Sequence, residues 1–133
     1  MAANRQGRCL CGRVRFKFDH EAVRFTAHCH CESCRRATSS PVATFIGVRD
    51  TGWRWQGEEP QVFESSPGVR RGFCGTCGSP MFFASDAYPG ETHFYAASLE
   101  GDEGLIVAGH AFAEERPHWS PVPPPALPEG ETD

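Results

Sequence analysis

Apolar and polar side chains alternate along most of the middle of the chain. Val14, Phe16 and Phe18 alternate with basic residues, which predicts a strand with one buried face. Glycine and proline separate further strand-like segments, and a turn or two of helix is expected after Cys34, ending before Pro41. The pattern predicts an antiparallel, all-β (β-dominated) single domain. The other predicted strands are 23–27, 42–48, 61–65, 69–73, 81–84, 92–99 and 106–112.

Length and charge narrow the functional classes. The 133 residues suit one domain, which we place at 7–120, between a frayed N-terminal tail (1–6) and a Pro-rich, acidic, mobile tail (121–133). The formal net charge of −4 argues against nucleic-acid binding. We expect no membrane association, because no apolar stretch approaches the ~18 residues of a spanning helix.

Cysteine usage carries most of the chemical information. The chain has seven cysteines, and an odd number argues against a complete disulfide framework. The first residues contain no apolar run of the kind found in a signal peptide, so we expect a cytoplasmic protein with reduced thiols. Clustered cysteines in that setting are metal ligands or catalytic groups more often than disulfides.

Two of the cysteine groups have the spacing of a shared zinc site. The C-x-x-C-G turn at 74–78 brings two thiolates close enough for one ion, since each Zn–S bond is about 2.3 Å. Cys9 and Cys11, between two glycines, supply the matching pair, and four thiolates leave no open coordination position. We therefore predict a closed, structural zinc site formed by Cys9, Cys11, Cys74 and Cys77. The basic residues expected to offset its charge are Arg8, Arg13, Arg70 and Arg71.

The third group, Cys29, Cys31 and Cys34, lacks a fourth cysteine. Three protein ligands and an exchangeable fourth position are typical of a catalytic zinc, and soft thiolate ligands favour a thiol substrate there. Alternatively, His28 or His30 completes a closed Cys₃His site. An iron–sulfur cluster and a thiol–disulfide switch at Cys31 and Cys34 are further alternatives, and the latter lacks its usual βαβ context.

The remaining candidates are mainly structural. His110 lies among small and aromatic residues, and a core histidine is the default interpretation, with a proton shuttle near the zinc as the alternative. Trp53, Trp55 and Phe45 are expected in the core or in hairpins. No partner is evident for His93.

Together these motifs resemble the glutathione-dependent formaldehyde-activating enzyme family, which also contains centromere protein V. The resemblance implies a β-tent zinc fold and a carbon–sulfur lyase activity concerning S-hydroxymethylglutathione. It places the family's closed zinc on Cys9, Cys11, Cys74 and Cys77. The family's substrate-facing zinc falls on Cys29, Cys31 and Cys34. Many members have Gly a few residues after the third cysteine group, where this chain has Ser39 and Ser40. The matching motifs are Gly7-x-Cys9-x-Cys11-Gly12-x-Val14, Cys29-His30-Cys31-x-x-Cys34-Arg35, Phe73-Cys74-x-x-Cys77-Gly78, His110 and Trp119.

These inferences predict a cytoplasmic enzyme with two zinc ions per chain, acting on a small thiol such as glutathione and an aldehyde or their thiohemiacetal. Cys29, Cys31 and Cys34 would carry the reaction, and the proton for the alkoxide would come from His30, His110 or water. Two other classes stay open: a non-catalytic, zinc-stabilised binding module, and a thiol redox repair enzyme of the same broad fold. The sequence does not indicate an oligomeric state.

Overall fold

The computed structural model describes residues 4–101 and 104–122. Within these residues the chain is mainly strand, with a short α-helix and four single 3₁₀ turns. None of the helices in the described residues is long and apolar enough to cross a membrane. The elements are β1 (Asn4–Arg8), β2 (Arg15–Asp19), β3 (Val23–Cys29), α1 (Glu32–Thr38), β4 (Ala43–Arg49), β5 (Trp53–Trp55), β6 (Gln61–Ser66), β7 (Val69–Phe73), β8 (Pro80–Ser85), β9 (Glu91–Tyr95) and β10 (Gly109–Ala111).

The strands form two sheets. Among the described residues, one sheet has the order β1-β2-β5 and the other the order β10-β3-β4-β9-β8-β7-β6. Neighbouring strands pair antiparallel except β10, which pairs parallel with β3. This β-dominated single domain confirms the predicted fold class.

The main core lies between the two sheets and is strongly aromatic. Phe16 of β2 stacks on Phe94 of β9 with ring centroids 4.2 Å apart, and both side chains are fully buried. Trp53 and Trp55 of β5 close the edge of this stack. Such stacked and edge-to-face pairs add to the stabilisation from burial alone. The predicted core role of the two tryptophans is therefore confirmed.

The opposite face of the seven-stranded sheet carries a second cluster. Side chains alternate across a strand, so Ile46 and Val48 of β4 face the main core, whereas Phe45 faces the other side. Tyr95 of β9 packs against Phe45 there, together with Cys29, Cys34 and Ala43.

The pairing register aligns one row of residues across six strands. The row includes Gly47, where a Cβ atom would lie 2.1 Å from the ring of Phe25, so the absent side chain leaves room for that ring. On either side of this glycine the row is aromatic or basic. In strand order it runs Phe25, Gly47, His93, Phe83, Arg71 and Phe63.

The observed elements differ from the predicted ones at the ends of the chain and in the short strands. Asn4–Arg8 form β1, so three residues of the predicted frayed tail (1–6) are in a strand, because polar side chains do not prevent pairing with β2. The predicted strand at 92–99 ends at Tyr95 in a 3₁₀ turn, and that at 106–112 is reduced to β10. From residue 123 onward the predicted C-terminal tail lies outside the described residues, and the domain limits of 7 and 120 stay a prediction.

Candidate metal centres and the adjoining cavity

The first cysteine group joins two loops that are distant in sequence. Cys9 and Cys11 lie between β1 and β2, and Cys74 and Cys77 lie between β7 and β8. The four sulfurs are within 4.8 Å of one another. The Cys9 and Cys11 sulfurs are 3.6 Å apart, and those of Cys11 and Cys74 are 3.8 Å apart. Four sulfurs around a tetrahedral zinc would stand about 3.8 Å apart, given Zn–S bonds of about 2.3 Å. The group could therefore hold a metal ion.

Both loops direct backbone N–H groups at these sulfurs. The N–H of Val14 donates to Cys9 Sγ at 3.3 Å, and the N–H of Cys77 donates to Cys74 Sγ at 3.4 Å. Gly12 and Gly78 have φ values of +84° and +82°, which allows the chain to turn back in this way. Hydrogen bonds from the Ser79 hydroxyl and backbone lower the pKa of Cys77 to about 5. Such donors favour thiolates, the form that binds metal.

The second group, Cys29, Cys31 and Cys34, spans the end of β3 and the start of α1. Cys29 Sγ lies 3.5 Å from Cys31 Sγ and 3.6 Å from Cys34 Sγ, much longer than the about 2.05 Å of a disulfide. Cys31 precedes the first residue of α1, and its sulfur accepts the N–H of Cys34 at 3.3 Å. Hydrogen bonds from the Cys29 and Cys34 thiols hold the pKa of Cys31 far below its usual range. This group also has the spacing to hold a metal ion.

The two histidines proposed as fourth ligands have other partners. His28 Nδ1 lies 2.8 Å from the Thr44 hydroxyl, and His30 Nε2 lies 2.9 Å from His110 Nδ1. Among the described residues, the set of donor atoms within 4.8 Å contains the three cysteines and neither histidine. His30 is fully buried, and its backbone N–H donates to the carbonyl of Ala111 in β10. His30 and His110 thus connect β10 to the loop that carries the cysteines.

Arg71 was expected beside the first cysteine group but lies at the second. Its Nη1 is 3.9 Å from Cys34 Sγ, and its guanidinium lies 5.1 Å from the centre of the Phe83 ring. Adjacent strand residues face opposite sides of a sheet, so Arg70 points away and pairs with Asp86. Of the four predicted arginines, Arg8 contacts the first group's loop, donating to the carbonyls of Cys9 and Leu10.

A cavity of about 620 Å³ opens beside the second cysteine group. Its lining includes all three cysteine residues of that group and most of the register row described above. The volume lies within the about 300–1,000 Å³ typical of small-molecule sites. The aromatic residues that line the cavity are Phe25, Phe45, Phe63, Phe83, Tyr88 and Phe112.

His93 also lines this cavity, although the sequence indicated no partner for it. Its Nε2 lies 2.7 Å from an oxygen of Glu91, whose other oxygen is 3.3 Å from Arg24 Nε. Burial lowers the pKa of His93, although Glu91 acts in the opposite direction, so the ring is neutral near pH 7. Within the described part of the chain, neither His30 nor His110 lines the cavity.

Sequence spacing alone identified the cysteines as candidate site residues, but it did not identify the other residues of the cavity. His93, Arg71 and Phe63 come together only through the pairing register of β9, β8, β7 and β6. Alternation indicates that His93 and Tyr95 share one face of their strand, but nothing in the sequence says which residues lie opposite them.

The sequence matches one family model and two relatives of similar length. The family model described as glutathione-dependent formaldehyde-activating enzyme matches residues 4–115. An uncharacterized lyase of Schizosaccharomyces pombe is 27% identical over 112 residues, covering 84% of this chain and 80% of the relative. A putative glutathione-dependent formaldehyde-activating enzyme of Halomonas elongata is 25% identical over 123 residues, covering 86% and 78%.

The fold also has a solved counterpart. A crystal structure of a Rhodobacter sphaeroides protein superposes with a TM-score of 0.58 at 24% sequence identity. The match covers 74% of this chain and 91% of that chain. At this identity the similarity concerns the fold.

Proposed function

The chain belongs to the glutathione-dependent formaldehyde-activating enzyme family, and from this premise we propose that it is a zinc-dependent carbon–sulfur lyase. Its substrate would be a thiol–aldehyde adduct, S-hydroxymethylglutathione or a similar thiohemiacetal. The family match and the lyase among the relatives support a lyase of a glutathione-related type. The single observation that carries the proposal is the position of Cys29, Cys31 and Cys34 in the wall of a ligand-sized cavity.

The two cysteine groups differ in the way that a structural and a reactive centre should. Cys9 and Cys74 belong to the main core, whereas Cys29 and Cys34 belong to the cluster on the opposite sheet face. The first group offers four sulfurs and the second three. We assign one zinc ion to each group, the first closed and structural, the second open to substrate.

The reaction makes or breaks one carbon–sulfur bond without oxidation or reduction. In the direction of synthesis, the thiol sulfur bonds to the aldehyde carbon, the thiol proton is lost and the carbonyl oxygen gains a proton. A bound zinc would supply Lewis acidity that keeps a thiol ionised near neutral pH. Cleavage of the adduct reverses each of these changes.

Residues around the cavity would orient the substrate and manage its proton. Arg71 brings a positive charge next to Cys34 and offsets the negative charge of three thiolates. His93 lines the cavity as a neutral imidazole held by Glu91, so we assign it the exchange of the substrate hydroxyl proton. His30 and His110 would position the cysteine loop from behind, through their mutual hydrogen bond.

Exchange spectroscopy by NMR tests the activity on the equilibrium between glutathione, ¹³C-formaldehyde and their adduct. We expect the wild-type protein to accelerate exchange above the uncatalysed rate and Cys31→Ser to abolish that acceleration. Ser33→Ala is the matched control, since Ser33 lines the same cavity without offering a sulfur ligand. Full acceleration by Cys31→Ser, or none by the metal-loaded wild type, would reject the proposed function in favour of a binding module or a redox enzyme.

A further inference from the structure

The cavity beside Cys34 has an aromatic floor that crosses most of the sheet. Phe25 meets His93 edge-to-face at a centroid distance of 4.8 Å, and Phe83 lies 5.4 Å from the same imidazole. Phe45 lies 6.0 Å from Phe83 and extends the floor toward the cysteine group. These rings thus form a connected aromatic cluster that packs with Cys29 and Cys34.

Three further aromatic rings line the cavity while remaining accessible to solvent. Phe63 is 50% exposed, and Tyr88 and Phe112 are each 44% exposed. Phe112 has a φ of 56°, a left-handed conformation that costs free energy for a residue with a side chain. Exposed aromatic rings grouped around one opening mark a ligand-binding surface more often than scattered apolar residues do.

The charges around the cavity do not account for this aromatic lining. Its charged lining residues, within the part of the chain that is described, are Arg36 and Arg71, with no carboxylate among them. Arg36 pairs with Glu32 on the exposed side of α1, and Arg71 lies against Cys34 and Phe83. Glutathione presents two carboxylates and an ammonium group, and a one-carbon unit needs almost no apolar surface. Neither component of S-hydroxymethylglutathione therefore explains six aromatic residues.

We infer that the site takes the adduct of a thiol with an aromatic aldehyde. The part of this adduct that comes from the aldehyde carries a planar aromatic ring. The inference rests on the proposed function and specifies its substrate class. The adduct's sulfur would lie at Cys29, Cys31 and Cys34, and its ring would lie against Phe83 and Phe63, with the charged thiol component toward the opening. Aromatic ligand rings gain from offset and edge-to-face contacts with such a floor beyond the burial of area.

Calorimetric titration of metal-loaded protein with stable thioether analogues tests this inference. The ligands are S-methylglutathione, S-benzylglutathione and S-cyclohexylmethylglutathione, which differ only in the group that stands for the carbonyl part. We expect the benzyl analogue to bind at least about tenfold more tightly than the methyl analogue, because even one methylene in an apolar pocket contributes about that factor. We expect it also to bind more tightly than the cyclohexylmethyl analogue, because the floor is aromatic.

Two neighbouring residues of β6 provide matched variants. Phe63→Ala should reduce the benzyl preference about fivefold, because one ring of the cavity is lost. Val62→Ala is the control: Val62 is 51% exposed, does not line the cavity and should leave the preference unchanged. Both positions are half-exposed, so neither substitution removes a core side chain.

The outcomes separate this inference from the proposed function. Equal affinity for the methyl and benzyl analogues, or for the benzyl and cyclohexylmethyl analogues, overturns the aromatic assignment even if the protein accelerates formaldehyde exchange. A benzyl preference that Phe63→Ala does not reduce also overturns it, since the ring would then bind elsewhere. A benzyl preference lost in Phe63→Ala supports the aromatic cavity even if lyase activity is absent.

Discussion

Arg71 shows that closeness in sequence does not determine which cysteine group a side chain contacts. Its closeness in the chain to Cys74 suggested a role at the first cysteine group, yet it lies 3.9 Å from Cys34. The reason is that β7 sends Arg70 and Arg71 to opposite faces. The cysteines were predictable because ligands of one ion must be close together, and short C-x-C and C-x-x-C spacings meet that condition locally.

His93 provides a prediction at this scale. If its neutral imidazole exchanges the substrate proton, turnover should fall on the acid side as the ring becomes protonated, at a pH below the ordinary histidine value of 6.5 because burial lowers its pKa. The groups around it are Glu91, Arg24, Tyr88 and Asp50. Replacing His93 with Gln should lower kcat about 10²-fold and remove that acidic limb.

The measurement is kcat against pH with the metal content followed at each point. Loss of metal at low pH would mimic a protonation step, so only the range in which the metal stays bound is compared. His20→Gln is the control, because His20 is a histidine outside the cavity lining. An acidic limb that persists unchanged in the His93 variant would contradict the assignment.

Among the elements, strands that alternate or lie between turn residues were predictable, and the short ones were not. Arg15–Asp19 has the alternating burial that its sequence predicts. Gln61–Ser66 and Val69–Phe73 match their predicted spans closely, because Pro60 and Pro67-Gly68 bound them. Trp53–Trp55 is too short to show a period, and Asn4–Arg8 is almost wholly polar. These two strands form only because β2 offers them an edge to pair with. Pairing between distant segments is a property of the assembled sheet and leaves little trace in a local pattern.

The loops between β1 and β2 and between β7 and β8 provide the second prediction. If a metal ion joins them through four sulfurs, Cys77→Ser removes a ligand and most of the binding free energy, which is of order 10 kcal/mol in small zinc domains. That loss is comparable to the whole free energy of unfolding of a typical domain, roughly 5–15 kcal/mol. We therefore expect the variant to show no cooperative thermal transition by circular dichroism.

The contrasting variant is Cys31→Ser, which alters the group that spans only the end of β3 and the start of α1. Since that group does not join distant loops, its variant should keep a cooperative transition and lose only the second metal ion. A cooperative melt of Cys77→Ser near the wild-type temperature would mean that the first group is not structural.

At the scale of the whole molecule, one sheet separates two environments. Alternate residues of β4 and β9 face the main core on one side and the aromatic cavity on the other, so the two cysteine groups lie in different packing clusters. The sequence identified both groups and the fold class from local spacing and alternation. The cavity could not be identified in that way, because its walls come from all seven strands of the larger sheet, whose register is fixed only when the sheet is complete.

The central claim is that the chain has one closed and one thiol-accessible metal centre. Cobalt substitution tests this claim most directly. The account predicts two cobalt ions per wild-type chain and a stronger thiolate-to-cobalt absorption band on addition of millimolar glutathione, because a fourth sulfur joins the centre at Cys29, Cys31 and Cys34. Cys31→Ser should bind one cobalt ion and show no such increase. A single ion per wild-type chain, or two ions and a band that glutathione leaves unchanged, would contradict the account.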